Sequence, residues 1–492
     1  MRLNMIKNWL IKNKLLTIII ACTMFLRLFR LGDFAMFLAD QGRDARIIRD
    51  IVTFTHFPAI GPPSSIGQVF LGPFFYYLVA PFLFIFNFNP VGLAYGVSIL
   101  SILGIIFAYF IVKKKVDSLT AIIFLIFTSF SSELIHLSRF SWNPNLLPIF
   151  SFFTFYFFSE MLEKKSVKKA ILFGVFFGCS FQLHHLAALF VLPCLLSYTI
   201  FFFKDSNKTK HLITLLFSLL AFGVISFPLF YFDLKHDFLN LKNLISLFKE
   251  QNMIAGGSLI TRILETNRSL INTVFQSNMN ILITSISTTL LLLVFFILQK
   301  KLKKPFFLWI HFFNTVSFTY LFSLLSSERH PHYYGAVYTS FFVILAFVVS
   351  HLWKKKYIFN KILLIILVIA YLVINARNFY FINGPANNQM AYSKRVADSI
   401  KQRMSEKSFN FATYPTDFSS EESFIYYLEL DGYKLADRAK GEVSNQMFLV
   451  CNKAPCLVID SPSWNISMFG KTKIDTMWKV EDLQIFKLIH AK

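Results

Sequence analysis

The sequence predicts an α-helical polytopic membrane protein with a small C-terminal α/β domain, and three observations predict it. Of its 492 residues, 55% are hydrophobic, only 15% are charged and 62 are phenylalanine. That composition suits many apolar helices in lipid, not one large soluble domain. Apolar runs close to the ~20 residues that a crossing needs recur along residues 1–377. Lysines cluster between those runs, from Lys113 to Lys115, at 164–169, 204–210, 299–304 and 354–361. The clusters also explain the net charge of +22. They mark cytoplasmic loops and attract anionic lipid, so the bilayer is the expected partner and nucleic acid is not.

Taken in order, Met1 to Phe29 has a basic start and an apolar core. Leu28-Phe29-Arg30-Leu31 is a poor cleavage site, so this is an uncleaved first crossing. A polar stretch follows to Gln68, with a Gly61-Pro62-Pro63-Ser64-Ser65 turn, and then two apolar runs, Leu71 to Phe86 and Val91 to Val112. Leu119 to Phe130 and Leu146 to Met161 flank a polar segment, Ser138 to Asn145. The run from Ala170 to Phe203 is too long for one crossing and is interrupted by Gln182, His184 and His185, which predicts two short helices meeting at a polar point. Helices are then expected over about 211–232, 278–298, 305–325, 335–353 and 361–377.

Placing every lysine cluster inside leaves room for one crossing between the first polar loop and Lys113. Leu71 to Phe86 is the shorter run and is cut by Pro81. Its Tyr76 and Tyr77 suit an interface, so it is expected to lie at or dip into the outer surface. About 11 transmembrane helices result, with the N-terminus cytoplasmic and the chain in the plasma (inner) membrane. Four polar segments then share the outer side: the loop around Asp40, Arg139 to Asn145, Asp233 to about Asn278, and Ser326 to Tyr334. His184 and His185 face that side too.

The tail, 378–492, is different material. Helices are expected over Ala391 to Met404 and Glu421 to Leu430. Strands are expected over Phe409 to Tyr414, Met447 to Cys451, Cys456 to Ile459 and Leu483 to Ile489. This makes an extracytoplasmic α/β domain after a transmembrane domain of 1–377 whose working loop spans 32–90. Cys22, Cys179 and Cys194 lie in apolar helices as packing residues. Cys451 and Cys456 are placed to close a disulfide if the tail is outside the cell.

The stretch that organises the chain is Leu38-Ala39-Asp40-Gln41-Gly42-Arg43-Asp44. Charge beside lipid is costly and tends to be functional. A carboxylate there suits a general base, with Asp40 the candidate catalytic residue. Asp40 and Asp44, four apart, would share one helical face, although Asp40 could instead cap that helix and Arg43 could simply pair with either acid. Arginine and histidine suit phosphate. The candidate substrate-binding residues are Arg43, Asp44, Tyr76, Tyr77, Arg139, Asn143, His184, His185, Arg329, His332 and Tyr333. An ion pair with Glu328 is the plain alternative for Arg329. No Asp-x-Asp or His-Glu-x-x-His spacing occurs, so no metal or other cofactor is expected, a divalent ion being unsupported.

These motifs resemble the membrane-embedded glycosyltransferases of the GT-C fold, specifically glycosyltransferase family 39, with its protein O-mannosyltransferases and aminoarabinose transferases. Asp40-Gln41-Gly42-Arg43-Asp44 is similar to that family's Asp-Glu-x-Arg-Tyr motif, and Gly72-Pro73-Phe74-Phe75-Tyr76-Tyr77 to its Pro-Pro-Leu-Tyr-Tyr-like interfacial helix. Ser138 to Pro144 and Arg329 to Tyr334 resemble its later outer loops. The resemblance covers about 1–377. It implies transfer of a sugar from a polyprenyl-phosphate donor to an acceptor on the outer face, with inversion. Asp40 would be the base, and Arg43 and Arg329 would hold the phosphate. Gln41 replaces an acid of the motif, Gly72 falls where aminoarabinose transferases keep a lysine, and Asn143 sits where some relatives have an acid. If the clamp lost its lysine, His332 or His184 could substitute. A transporter or flippase of lipid-linked glycans is the alternative, but such proteins often show internal repeats and mid-helix charge, and neither is visible here. A tail that is merely an anchored binding module would not need so many helices.

Overall fold

A computed structural model of the chain describes residues 13–64, 68–249, 258–302, 304–325, 328–415, 420–452 and 455–491. The basic start before residue 13, and Ser65, Ser326 and Ser327, lie outside the described residues. Six described helices are long and apolar enough to cross a membrane: Val91–Lys115, Asn143–Lys164, His185–Lys204, Lys208–Lys235, Ile281–Leu302 and Ile358–Ala376. Four shorter apolar helices join them, Phe74–Ile85, Ser118–Phe130, Phe306–Phe322 and Tyr338–Trp353. Ile281–Leu302 and Ile358–Ala376 expose leucine and isoleucine along most of their length, as lipid-facing helices do. Tyr338–Trp353, by contrast, is buried almost all round. There Ser340 Oγ meets His311 Nδ1 and Asn314 Nδ2, both at 2.9 Å, so polar side chains join two apolar helices.

The run from 167 to 204 breaks where its polar residues stand. A helix Val167–Leu183 ends at extended His184, a 3-10 turn spans His185–Phe190, and Val191–Lys204 resumes. Phe74–Ile85 has 12 residues, about 18 Å of helix, too short for a ~30 Å hydrocarbon core. The stretch 233–278, expected only as polar, forms two helices, Leu239–Lys249 and Leu259–Phe275.

Two buried arginines close helix ends. Arg27 donates to the carbonyls of Thr128 (3.0 Å) and Ser129 (3.1 Å), where Ser118–Phe130 runs out of its own donors. Arg139 does the same for Lys14–Leu28, reaching Leu26 O and Phe29 O, both at 2.9 Å, and lies 3.8 Å over the Phe381 ring. Its guanidinium is thus engaged by backbone carbonyls and by the tail. Arg139→Ala is expected to cost about 1–3 kcal/mol by stranding those carbonyls, read as a lowered thermal transition.

The tail forms a five-stranded sheet of β1 (Ser408–Tyr414), β2 (Lys434–Leu435), β3 (Gln446–Cys451), β4 (Thr472–Val480) and β5 (Leu483–His490), in the order β2-β1-β3-β5-β4. β1 runs parallel to β2 and β3, while β5 is antiparallel to β3 and β4. Residues 456–459, expected as a strand, have no ladder partner among the described residues. Cys451 and Cys456 are joined by a disulfide. Helices Gln389–Lys401 and Glu421–Leu430 complete the domain, and their buried residues belong to the same apolar cluster as the helical bundle. Phe37 joins the two parts edge-on to Tyr426 and Tyr427, each 5.8 Å between ring centres.

Candidate active site

The acidic motif opens a helix, Ala39–Val52. Asp40 is not its cap: Gln41 takes that work, its Oε1 accepting from Leu38 N at 3.1 Å. Asp40 is left with a side chain 47% exposed. One turn on, Arg43 reaches both acids, with Nη1 2.9 Å from Asp40 Oδ1 and Nη2 2.8 Å from Asp44 Oδ1. Asp44 is fully buried, and its Oδ1 also accepts from the Tyr76 hydroxyl at 3.0 Å. Its second oxygen, Oδ2, is buried without a hydrogen-bond partner among the described residues. Burial pushes the Asp44 carboxyl up to about 6, against the opposing pull of Arg43. A buried acid and a phenol therefore fix a guanidinium beside a carboxylate that meets solvent.

Tyr77 turns elsewhere and donates to Pro58 O at 2.9 Å, tying down the loop after the acid helix. Gly72 lies against Gln182, where a Cβ would stand 2.5 Å from the amide carbon. A side chain there would require the Gln182 amide to move. Gln182 Oε1 accepts from Phe74 N at 3.3 Å, while its Nε2 donates to Ile225 O at 3.0 Å. This amide links the interfacial helix to the break at His184.

Around that break stands a second group. Asn143 Nδ2 donates to Leu183 O at 2.9 Å, and His184 Nδ1 accepts from Leu186 N at 3.1 Å. The His332 ring lies 4.7 Å from Trp142, 6.0 Å from His184 and 4.3 Å from Tyr333. Burial, with His330 beside it, pulls the His332 imidazole down to about 4, so it is neutral near pH 7. His185 Nε2 stands 3.3 Å from Val69 O. Arg329 donates to Leu325 O at 3.1 Å and lies 4.4 Å over Phe322, whose ring is 5.9 Å from that of Tyr333. Glu328 pairs with His330 instead, at 3.2 Å.

The contacts thus run from Asp44 through Tyr76, the 72–77 segment and Gln182 to His184 and His332. Arg139 lies outside this line. Trp142 belongs in it, and its place between the polar residues 138–145 was the only sequence signal for it. The tail also reaches the acid helix. Arg46 pairs with Glu422 at 2.6 Å and Glu429 at 2.9 Å, and Arg49 reaches Glu429 at 3.0 Å. A Cβ at Gly42 would stand 2.5 Å from the carbonyl carbon of Glu422 and 2.8 Å from its oxygen. Only glycine lets the two helices approach so closely. Among the described residues, no group of three or more His, Cys, Asp or Glu could hold a metal ion.

Residues 71–231 match the family model of dolichyl-phosphate-mannose-protein mannosyltransferase. No curated protein matches the chain in sequence. In structure it resembles ArnT from Cupriavidus metallidurans bound to undecaprenyl phosphate, with a TM-score of 0.63 at 11% identity over 96% of this chain and 97% of that one. It also resembles the archaeal oligosaccharyltransferase AglB from Archaeoglobus fulgidus in complex with an inhibitory peptide and a dolichol-phosphate, with a TM-score of 0.52 at 12% identity over 90% of this chain and 70% of that one. The chain is a multi-pass membrane protein with the GT-C fold.

Proposed function

We propose that the protein is a glycosyltransferase that moves a sugar from a polyprenyl-phosphate donor to a lipid, glycan or protein acceptor on the outer face of the membrane. The observation that carries this is the Asp40–Arg43–Asp44–Tyr76 cluster; the fold and the match over 71–231 support it. In this reading Asp40 accepts the proton of an acceptor hydroxyl as its oxygen attacks the anomeric carbon. The bond from that carbon to the phosphate oxygen breaks on the opposite side, so the sugar carbon inverts. Polyprenyl phosphate leaves with the electron pair, and Arg43 stabilises its charge. Arg329 and neutral His332 contact the donor from the far end of the line. The N-terminus is cytoplasmic and the tail domain extracytoplasmic. The test is transfer of radiolabelled sugar by purified protein from a panel of polyprenyl-phosphate sugars, with membrane extract as acceptor. No product from any donor, together with movement of labelled lipid between vesicle leaflets, would replace this reading with a flippase.

A pH dependence follows from Asp44. Its folded value of about 6 exceeds the ordinary ~3.9, so the folded chain takes up this proton first as pH falls. Above about 6 the ionised carboxylate holds Arg43; below, the hold weakens. Transfer is expected to fall with an acid limb near pH 6, and Asp44→Asn to flatten that limb at a lower plateau, read as kcat against pH. The same shift makes this group's contribution to stability grow from pH 6 towards 4, by up to about 1.4 kcal/mol per pH unit. A thermal transition that this group does not lower over that range separates the acid limb from unfolding.

A further inference from the structure

The helix Leu259–Phe275 is two-sided. Thr266, Asn267, Leu270, Ile271 and Val274 are buried on one face. Glu265, Arg268, Ser269, Asn272 and Thr273 recur three or four apart and form one wall of a cavity of about 600 Å³. Glu133 and Pro331 close the other side. The wall is held in place by its own bonds. Thr273 Oγ1 donates to Ser269 O at 2.8 Å, and Asn272 Oδ1 accepts from Ser277 Oγ and Met279 N, both at 2.9 Å. Arg268 and Glu265 face each other at 3.3 Å, so their charges offset.

Glu133 supplies a second observation. Burial alone pushes its carboxyl up to about 7, and no cation or donor among the described residues pulls it back. At neutral pH such a group both donates and accepts hydrogen bonds. The cavity therefore offers hydroxyls, amides, one balanced ion pair and a near-neutral carboxyl. This surface has no excess of positive charge to draw a phosphate, and more of its lining is polar than apolar. Its volume lies within the usual range of small-molecule sites. Pro331 also opens the turn that carries His332 and Tyr333, so the cavity shares a wall with the line of contacts from Asp44.

We propose that this cavity binds an uncharged, hydroxyl-rich carbohydrate segment of the acceptor, with Glu133 and the Glu265–Arg268 pair as its principal hydrogen-bonding groups. The word acceptor rests on the transferase reading; binding of carbohydrate does not. The test is saturation-transfer NMR and calorimetry on the full chain in nanodiscs, with maltotriose, N-acetylchitotriose and a Ser/Thr-rich heptapeptide as probes. At least one saccharide is expected to bind the native chain. Thr273→Trp, which places an indole inside the cavity, should weaken it at least 10-fold, and Lys471→Gln, exposed in the tail, should leave it unchanged. If Thr273→Trp fails to fold, Glu133→Leu takes its place with the same expected loss. Failure of both saccharides to bind, equal binding by the filled variant, or binding of the peptide alone overturns the proposal. Saccharide binding without transfer from any polyprenyl-phosphate sugar would remove the transferase reading and leave the carbohydrate site standing.

Discussion

Purified Asp40→Asn is expected to keep the native thermal transition and lose sugar transfer by about 10²–10⁴-fold, the range for a general base. The fold should survive because Asp40 caps nothing and its side chain is half exposed. The Arg43–Asp44–Tyr76 anchor stands without it. Transfer by single turnover with saturating donor isolates the chemical step. A folded variant with native transfer would take Asp40 out of the mechanism and leave the transferase class intact. The same assay on Arg43→Lys separates the two roles, because lysine keeps the charge but cannot fork between Asp40 and Asp44.

Gly42→Leu is expected to do comparable damage by another route. A side chain there meets backbone of Glu422, not the movable end of a side chain. The acid helix and Glu421–Leu430 must therefore separate, which strains the Arg46 and Arg49 pairs with Glu422 and Glu429. Overpacking of this kind costs about 1–3 kcal/mol, and a shift of about 1 Å in Asp40 suffices for ~10²-fold in rate. The measurement is transfer alongside limited proteolysis of residues 377–388, the connection to the tail. Reduced transfer with faster cleavage is the expected pair of results. Native rates of both would show that the tail does not position Asp40.

Much of this was legible in the sequence, because lipid imposes simple rules. Apolar length marked most of the helices, and Gln182, His184 and His185 marked the break in a run too long for one crossing. The acidic motif showed itself by carrying charge next to an apolar run. Other features depended on distant partners. The work Arg139 does on the carbonyls of Leu26 and Phe29 could not be read locally, because they are over a hundred residues away. β4 was missed because it is a mostly exposed edge strand in which Lys473, Asp475 and Lys479 dilute the apolar residues. Cys456 to Ile459 looked like a strand by composition, but among the described residues no neighbour pairs with it. Gly42 looked ordinary, since what crowds it arrives from the tail.

That arrival has a consequence in time. Arg46 and Glu422 are 376 residues apart, and chains are made at about 5–20 residues per second. The acid helix therefore emerges roughly 20–75 s before the partner that seats it can exist. During synthesis the nascent protein holds a three-arginine helix in which Arg43 and Arg49 have acids of their own helix, while Arg46 waits for those of the tail. Chains interrupted before residue 421 are expected to insert into the membrane yet remain inert.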